Sequence, residues 1–339
     1  MTPTRRNTTR WAVVASLPAL ALVGCGDDGA TEGAEGDTLS LTLAHSYNED
    51  QPQARCGAEV IKEETEAADV GLEIEVFGSS QLGGDADRIA SVASGDIDID
   101  IQGASALGAV HEPVSVLDAA YVFDDAEHLE RFMDSAEGEQ VTQDFAESAD
   151  IHTLGAWSAG ARHFTADEPI RSPEDLEGLR IRFPGSPQYL TNARALGAEA
   201  TEVAYEELYL SLQQGAVDGQ ENPITNIDSE NLAEVQDYLS VSSHQLNTNL
   251  IIMSEAWTTL SEDQQSALTE AVESAVTQVT DCVTEDEEAT LEQWRTGDDW
   301  EVVEDVDVDA FRDQSLQYLE ENLQGDSLEV FEAVRATTE

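Results

Sequence analysis

LSLTL at residues 39–43, LEIEV at 72–76 and IDIDI at 97–101 share one pattern, an apolar side chain at every second position. Alternation with period two marks a strand that buries one face. Pro52 to Ala68 and Ala86 to Ala93, which lie between these runs, read as helices, and SSQLGGD (79–85) reads as a loop. The order strand, helix, strand, helix, strand predicts an α/β fold with a parallel sheet under covering helices.

A second set begins at Ile151. Ile151 to Trp157 and Arg162 to Thr165 read as strands. SPEDL (172–176) is a helix start with proline in the first position. Leu179, Ile181 and Phe183 form the apolar face of a further strand. Pro187 to Leu196 is helical and ends at Gly197, Thr201 to Tyr205 is short and extended, and Glu206 to Gln214 is helical up to Gly215. VDGQENP (217–223) then crowds Asp218, Gln220, Glu221 and Asn222 between a glycine and a proline. Polar side chains packed so densely at the end of an element suggest a binding site on a rigid frame. Ser261 to Trp294 reads as one long helix, with Leu268, Ala271, Val272, Ala275, Val276 and Val279 at helical spacing. At about 1.5 Å per residue it spans roughly 45 Å, the width of two lobes.

The chain has 339 residues, 71 of them acidic and 15 basic, for a formal charge of -56, and Lys62 is its only lysine. Hydrophobic residues make up 40%, which excludes a disordered acidic tail. Such a surface repels nucleic acid and anionic membranes, so neither is an expected partner. Two origins fit the charge: a protein kept soluble in high salt, where self-repulsion is screened, or the acidic proteome of a GC-rich organism.

Met1 to Gly24 has the layout of a signal peptide. Arg5, Arg6 and Arg10 precede an apolar run from Trp11 to Val23 that is too short to remain as a membrane span. LVGC (22–25) fits a lipoprotein cleavage box, which makes Cys25 the expected lipid-bearing residue and 25–37 a flexible tether. The alternative is a plain signal peptide with a chance cysteine. Cleavage leaves a charge of about -59, from 12 basic and 71 acidic residues. An exported chain with Cys56 and Cys282 remaining favours a disulfide between them, with free thiols as the alternative.

Because basic residues are scarce, their positions matter. Arg162, Arg171, Arg180, Arg182 and Arg194 fall within 33 residues. Arginine suits a carboxylate because its planar fork donates two parallel hydrogen bonds. Arg182 sits nearest the C-terminal end of its strand, where open α/β sheets bind ligands, and is the leading candidate, with Arg162 second. Arg180 reads as solvated or ion-paired, and Arg171 and Arg194 as surface charges. The six histidines show no metal-ligand spacing, and no GxSxG elbow or phosphate loop is present. No metal, cofactor or enzymatic activity is expected.

Several of these strings, in this order, resemble the DctP-type substrate-binding proteins of TRAP (tripartite ATP-independent periplasmic) transporters. The matching strings are SSQLGGD (79–85), GARHFT (160–165), SPEDLEGLRIRFP (172–184) and EELYLSLQQGAVDGQENP (206–223). VQDYLS (235–240), followed by His244, also fits, and the similarity covers roughly residues 38 to 320. The resemblance implies a two-lobed, type II periplasmic-binding-protein-like fold. Each lobe would hold a mixed sheet covered by helices, and hinge strands and a long spanning helix would join them. Lobe I is expected over 38–159 and 248–287, and lobe II over 160–247 and 288–339.

It also implies site residues. The principal ligand-carboxylate arginine falls on Arg182, a second contacting arginine on Arg162, and the asparagine of the ENP turn on Asn222. A pocket-walling aromatic falls on Tyr205, whose hydroxyl could add a hydrogen bond. Gln81 and His45 are further pocket-lining candidates. The implied function is capture of a small organic carboxylate between the lobes and delivery to TRAP membrane permease subunits. The chain would act as a monomer tethered to the outer face of the cell membrane by its lipid, or free in a periplasm. Competing readings are a lipoprotein of an ATP-driven importer, binding of the zwitterionic osmolyte ectoine, and an extracellular hydrolase, for which no nucleophile is visible.

Overall fold

The computed structural model describes residues 38–338, so the signal segment, Cys25 and the tether lie outside the described residues. Nine strands form one mixed sheet. β1 (Leu39–His45), β2 (Leu72–Phe77) and β3 (Ile99–Gly103) are parallel neighbours in the order β2-β1-β3. Their alternation has the expected consequence: Leu41, Leu43, Ile74, Ile99 and Ile101 are buried. Helices Glu59–Ala67 and Asp85–Ser94 make the crossovers.

The sheet continues through β4 (His152–Ala166), β5 (Arg180–Phe183), β6 (Glu199–Glu202), β7 (Gly219–Pro223) and β8 (Tyr238–Met253). The full order is β2-β1-β3-β8-β4-β7-β5-β6, with β9 (Glu301–Val303) beside β8. β8 runs antiparallel to both β3 and β4, while β5, β6 and β7 are mutually parallel. The expected separate sheets are therefore one continuous sheet, because β4 and β8, 15 and 16 residues long, pass from the first half into the second. The two strands expected at 151–157 and 162–165 are likewise a single strand. Its register against β8 shifts between Ser158 and Ala161, around Gly160, whose φ of 98° is open to glycine and costly for other residues.

The long helix Glu262–Thr296 starts at a capping box, with Ser261 and Gln264 bonding each other's backbone amides. Leu268, Val272, Val279 and Val283 pack with Leu41, Ile251 and Trp157 in the first half. Trp294, near the other end, packs with Trp300, Leu208 and Leu239 in the second. A helix with two such contacts bridges both apolar cores. Cys56 and Cys282 form a disulfide that joins the turn Gln53–Ala58 to this helix, with Cα atoms 6.7 Å apart. The last helix, Asp326–Ala336, sets Val330, Phe331 and Val334 among Phe132, Phe145 and Ile151. This last helix thus packs on residues of the first half.

Candidate functional site

β5 and β7 lie side by side with Arg182 opposite Gln220. Alternation sends Ile181 and Phe183 into the core, both fully buried, and Arg182 to the other face. There Arg182 is itself buried, at 1% exposure. Its Nε donates to the carbonyl of Val203 at 2.9 Å, while its buried Nη1 has no hydrogen-bond partner among the described residues. Burial works against its charge and lowers its pKa, a shift that Glu221 partly offsets. Arg180, two residues earlier, is exposed and ion-paired with Asp218 at 2.5 Å, as the sequence suggested. Arg182 has no such carboxylate partner among the described residues. A buried cation with an idle donor is costly unless something else completes it.

Arg182 faces a cavity of about 430 Å³ whose walls include Arg162, Asn222, Tyr205, Tyr47, Asn247 and Asn249. Four sequence-predicted residues thus meet at one cavity, but their states differ. Arg162 pairs with the buried carboxylate of Glu221 through Nε, and Nη2 donates to Glu221 Oε1 at 2.8 Å and to its carbonyl at 2.7 Å. Nη2 also reaches Asn222 Oδ1 at 3.1 Å, and Nη1 donates to Asn247 Oδ1 at 2.5 Å. The guanidinium lies 5.0 Å from the ring centre of Tyr189. Arg162 is therefore neutralised within the chain, with most of its donors in use. Burial alone would raise the pKa of Glu221, but Arg162 and His244 outweigh that and hold it below the usual carboxylate range. His244 Nε2 lies 3.3 Å from Glu221 Oε2, and its ring stacks on Phe164.

Asn222 is fixed by Arg162 and by its own Nδ2, which donates to Gln220 Oε1 at 2.5 Å. Tyr205 gives the cavity its ring. Its hydroxyl accepts from Asn226 Nδ2 at 3.1 Å, a residue that is not on the cavity lining. Gln81 and His45 are not among the residues that line the cavity. Ser79 and Ser80 both take left-handed backbone, their amides bonded to the carbonyls of Tyr47 and His45, and this turn leaves Gln81 exposed. His45 is buried beneath Gly78 and accepts the amide of Tyr47 at Nδ1, 3.2 Å away. Burial, then the nearby Arg88, lowers its pKa to about 4, so it is a neutral core group.

Sequence reasoning missed Tyr47, Asn247 and Asn249. Asn249 Oδ1 accepts from Tyr47 Oη at 2.7 Å and from Trp157 Nε1 at 3.2 Å. Both asparagines lie on β8, where the stretch SSHQLNTN breaks the apolar alternation that would have announced a strand. No group of His, Cys, Asp and Glu among the described residues is placed to hold a metal ion. The arrangement can grip one anion and surround it with fixed hydrogen-bonding groups.

Residues 43–325 match the DctP family, described as bacterial extracellular solute-binding protein, family 7. A solute-binding protein of Roseobacter denitrificans is 32% identical over 260 residues, which is 76% of this chain and 80% of that protein. A crystal structure of a TRAP periplasmic solute-binding protein from the same species, with bound L-galactonate, superposes with a TM-score of 0.80 at 30% identity, over 88% of this chain and 99% of the other. One from a Polaromonas species, bound to D-erythronate, gives 0.81 at 29% identity over 88% and 98%.

Proposed function

From the premise that this chain belongs to the DctP family of bacterial extracellular solute-binding proteins, we propose that it captures a small organic carboxylate for a TRAP-type transporter, with Arg182 as the anchor. One observation carries this reading: Arg182 is buried at the cavity, and among the described residues its Nη1 has no partner and no carboxylate pairs with it. A ligand carboxylate would supply the missing acceptor and the missing charge together. The L-galactonate and D-erythronate bound by the two similar structures are both carboxylates, which supports the same assignment.

In this reading Asn222 offers its side chain beside the anion and Tyr205 its ring as a wall. Arg162 acts mainly by holding Asn222 and Asn247 in place through the Glu221 pair. The two halves would work as lobes, with the last helix assigned to the first. Closing them removes water and strengthens the ion pair. The loaded protein would dock, as a monomer, on membrane permease subunits. Cys25 would carry a lipid that keeps it at the outer face of the membrane. A Cys25→Ala chain that remains membrane-bound in cells would remove the anchor from this account.

Each charge-assisted hydrogen bond contributes about 1.5–3 kcal/mol. Arg182→Ala should therefore weaken carboxylate binding by roughly 2–5 kcal/mol with the fold intact. Titration calorimetry on wild type and variant tests this, and an affinity within about threefold of wild type would remove Arg182 from its role.

A further inference from the structure

The charges around the cavity are uneven. Arg162 and Arg182 are the cationic residues that line it, and Arg162 is already matched by Glu221. Arg88, close behind the wall, spends its donors on Asp100, Asp85 and the carbonyl of Gly83. One guanidinium is left to meet an anion. Against it stand four acidic side chains on the lining, Asp85, Asp87, Glu202 and Glu206, of which Asp85 is already matched by Arg88. They come from both walls. Glu206 Oε1 reaches within 3.8 Å of the point where a side chain on Gly84 would begin, and Glu202 Oε2 within 3.4 Å of the same point on Gly185.

The neutral groups are also one-sided. The amide oxygens of Asn247 and Asn249 are spent on Arg162, Tyr189, Tyr47 and Trp157, which leaves the NH2 groups of these two lining residues without a partner among the described residues. The acidic residues can only accept. A hydroxyl group both donates and accepts, and so satisfies the two sides together.

We propose, building on the functional reading above, that the ligand is a monocarboxylate whose remaining length is uncharged and rich in hydroxyl groups. Asp87, Glu202 and Glu206 act as specificity determinants that reject a second anionic group. A dicarboxylate would place its second charge without a cation and facing acceptors, and like-charge contact of this kind is a means of excluding wrong ligands.

The test is titration calorimetry on the full chain with L-galactonate, D-erythronate, succinate and 6-aminohexanoate, repeated on Glu206→Gln and Arg182→Ala. The expected result is that the better aldonate binds at least tenfold more tightly than succinate and 6-aminohexanoate. Glu206→Gln should narrow the gap to succinate at least threefold. Such a ratio between ligands on one protein is insensitive to how well the variant folds. Succinate within threefold of the better aldonate, 6-aminohexanoate as the tightest ligand, or an unchanged ratio in Glu206→Gln would each overturn the inference. If these ligands bind through Arg182 but succinate wins, only the selectivity falls. If no carboxylate binds, or Arg182→Ala binds them all as well as wild type, the functional reading falls and takes this one with it.

Discussion

Arg162 and Arg182 look alike in the sequence and are opposites in the fold. Arg182 could be located from its own strand, because Ile181 and Phe183 had to face the core and therefore sent it the other way. The pairing of Arg162 with Glu221 could not, because the partners are 59 residues apart and meet only through the register of β4 on β7. For the same reason the bond from Asn226 to the Tyr205 hydroxyl was not legible, since it forms only once the short helix Ile224–Ser229 after β7 has folded. The pair makes a prediction of its own. Glu221→Ala would leave the Arg162 guanidinium buried with neutral partners only, which should cost about 3–5 kcal/mol of stability. Denaturant unfolding measures this, and a loss below about 1 kcal/mol would mean that the pair is not what holds this corner.

Among the elements, the alternating strands and the long helix were legible because each carries its own period. β8 was not, since half of its side chains are polar groups that bond to other strands and to the cavity wall. The long helix also holds an acid at an unusual place. Glu287 is half-buried, and a side chain on Gly160 would begin 2.1 Å from its buried Oε1, which has no hydrogen-bond partner among the described residues. Burial raises its pKa to about 8, against the opposing pull of the Ile224 and Ala161 amides. A carboxyl whose pKa is raised on folding holds its proton in the native state where the unfolded chain has lost it. The folded state then binds more protons than the unfolded one, so stability is greatest below the ordinary value of 4.5 and falls as pH rises toward 8. Asp100, pushed up to about 7 chiefly by burial, adds to the same slope. Melting curves between pH 5 and 8 should show a shallower decline for Glu287→Gln than for wild type. Parallel declines would assign the slope to other groups. The disulfide belongs to this scale too. It closes a separation of 226 residues, and reducing it should lower stability by about 2–4 kcal/mol. An unchanged melting temperature in excess reductant would count against any such contribution.

For the whole molecule, the charge is both a stability and a kinetic variable. An anion approaching a chain with a formal charge of -56 meets a repulsive field until it reaches the cavity. Salt shortens the range of that field to about 10 Å at 0.1 M. Association rates for a carboxylate should therefore climb between about 10 mM and 150 mM salt, the reverse of an attractive encounter, and stopped-flow binding would show it. A flat profile would mean that the local field of Arg182 governs capture. Mechanics enter at this scale as well. The disulfide rivets the long helix to the first half at Cys282, and about 18 Å of rod extends from there to Trp294 in the other core. A change in angle of about 10° at the rivet displaces that tip by about 3 Å, roughly two residues of helical rise. Were the two halves to move as lobes, the crosslink would serve as the fulcrum of a cantilever, and cutting it would let the rod pivot elsewhere and loosen the gearing between the two cores.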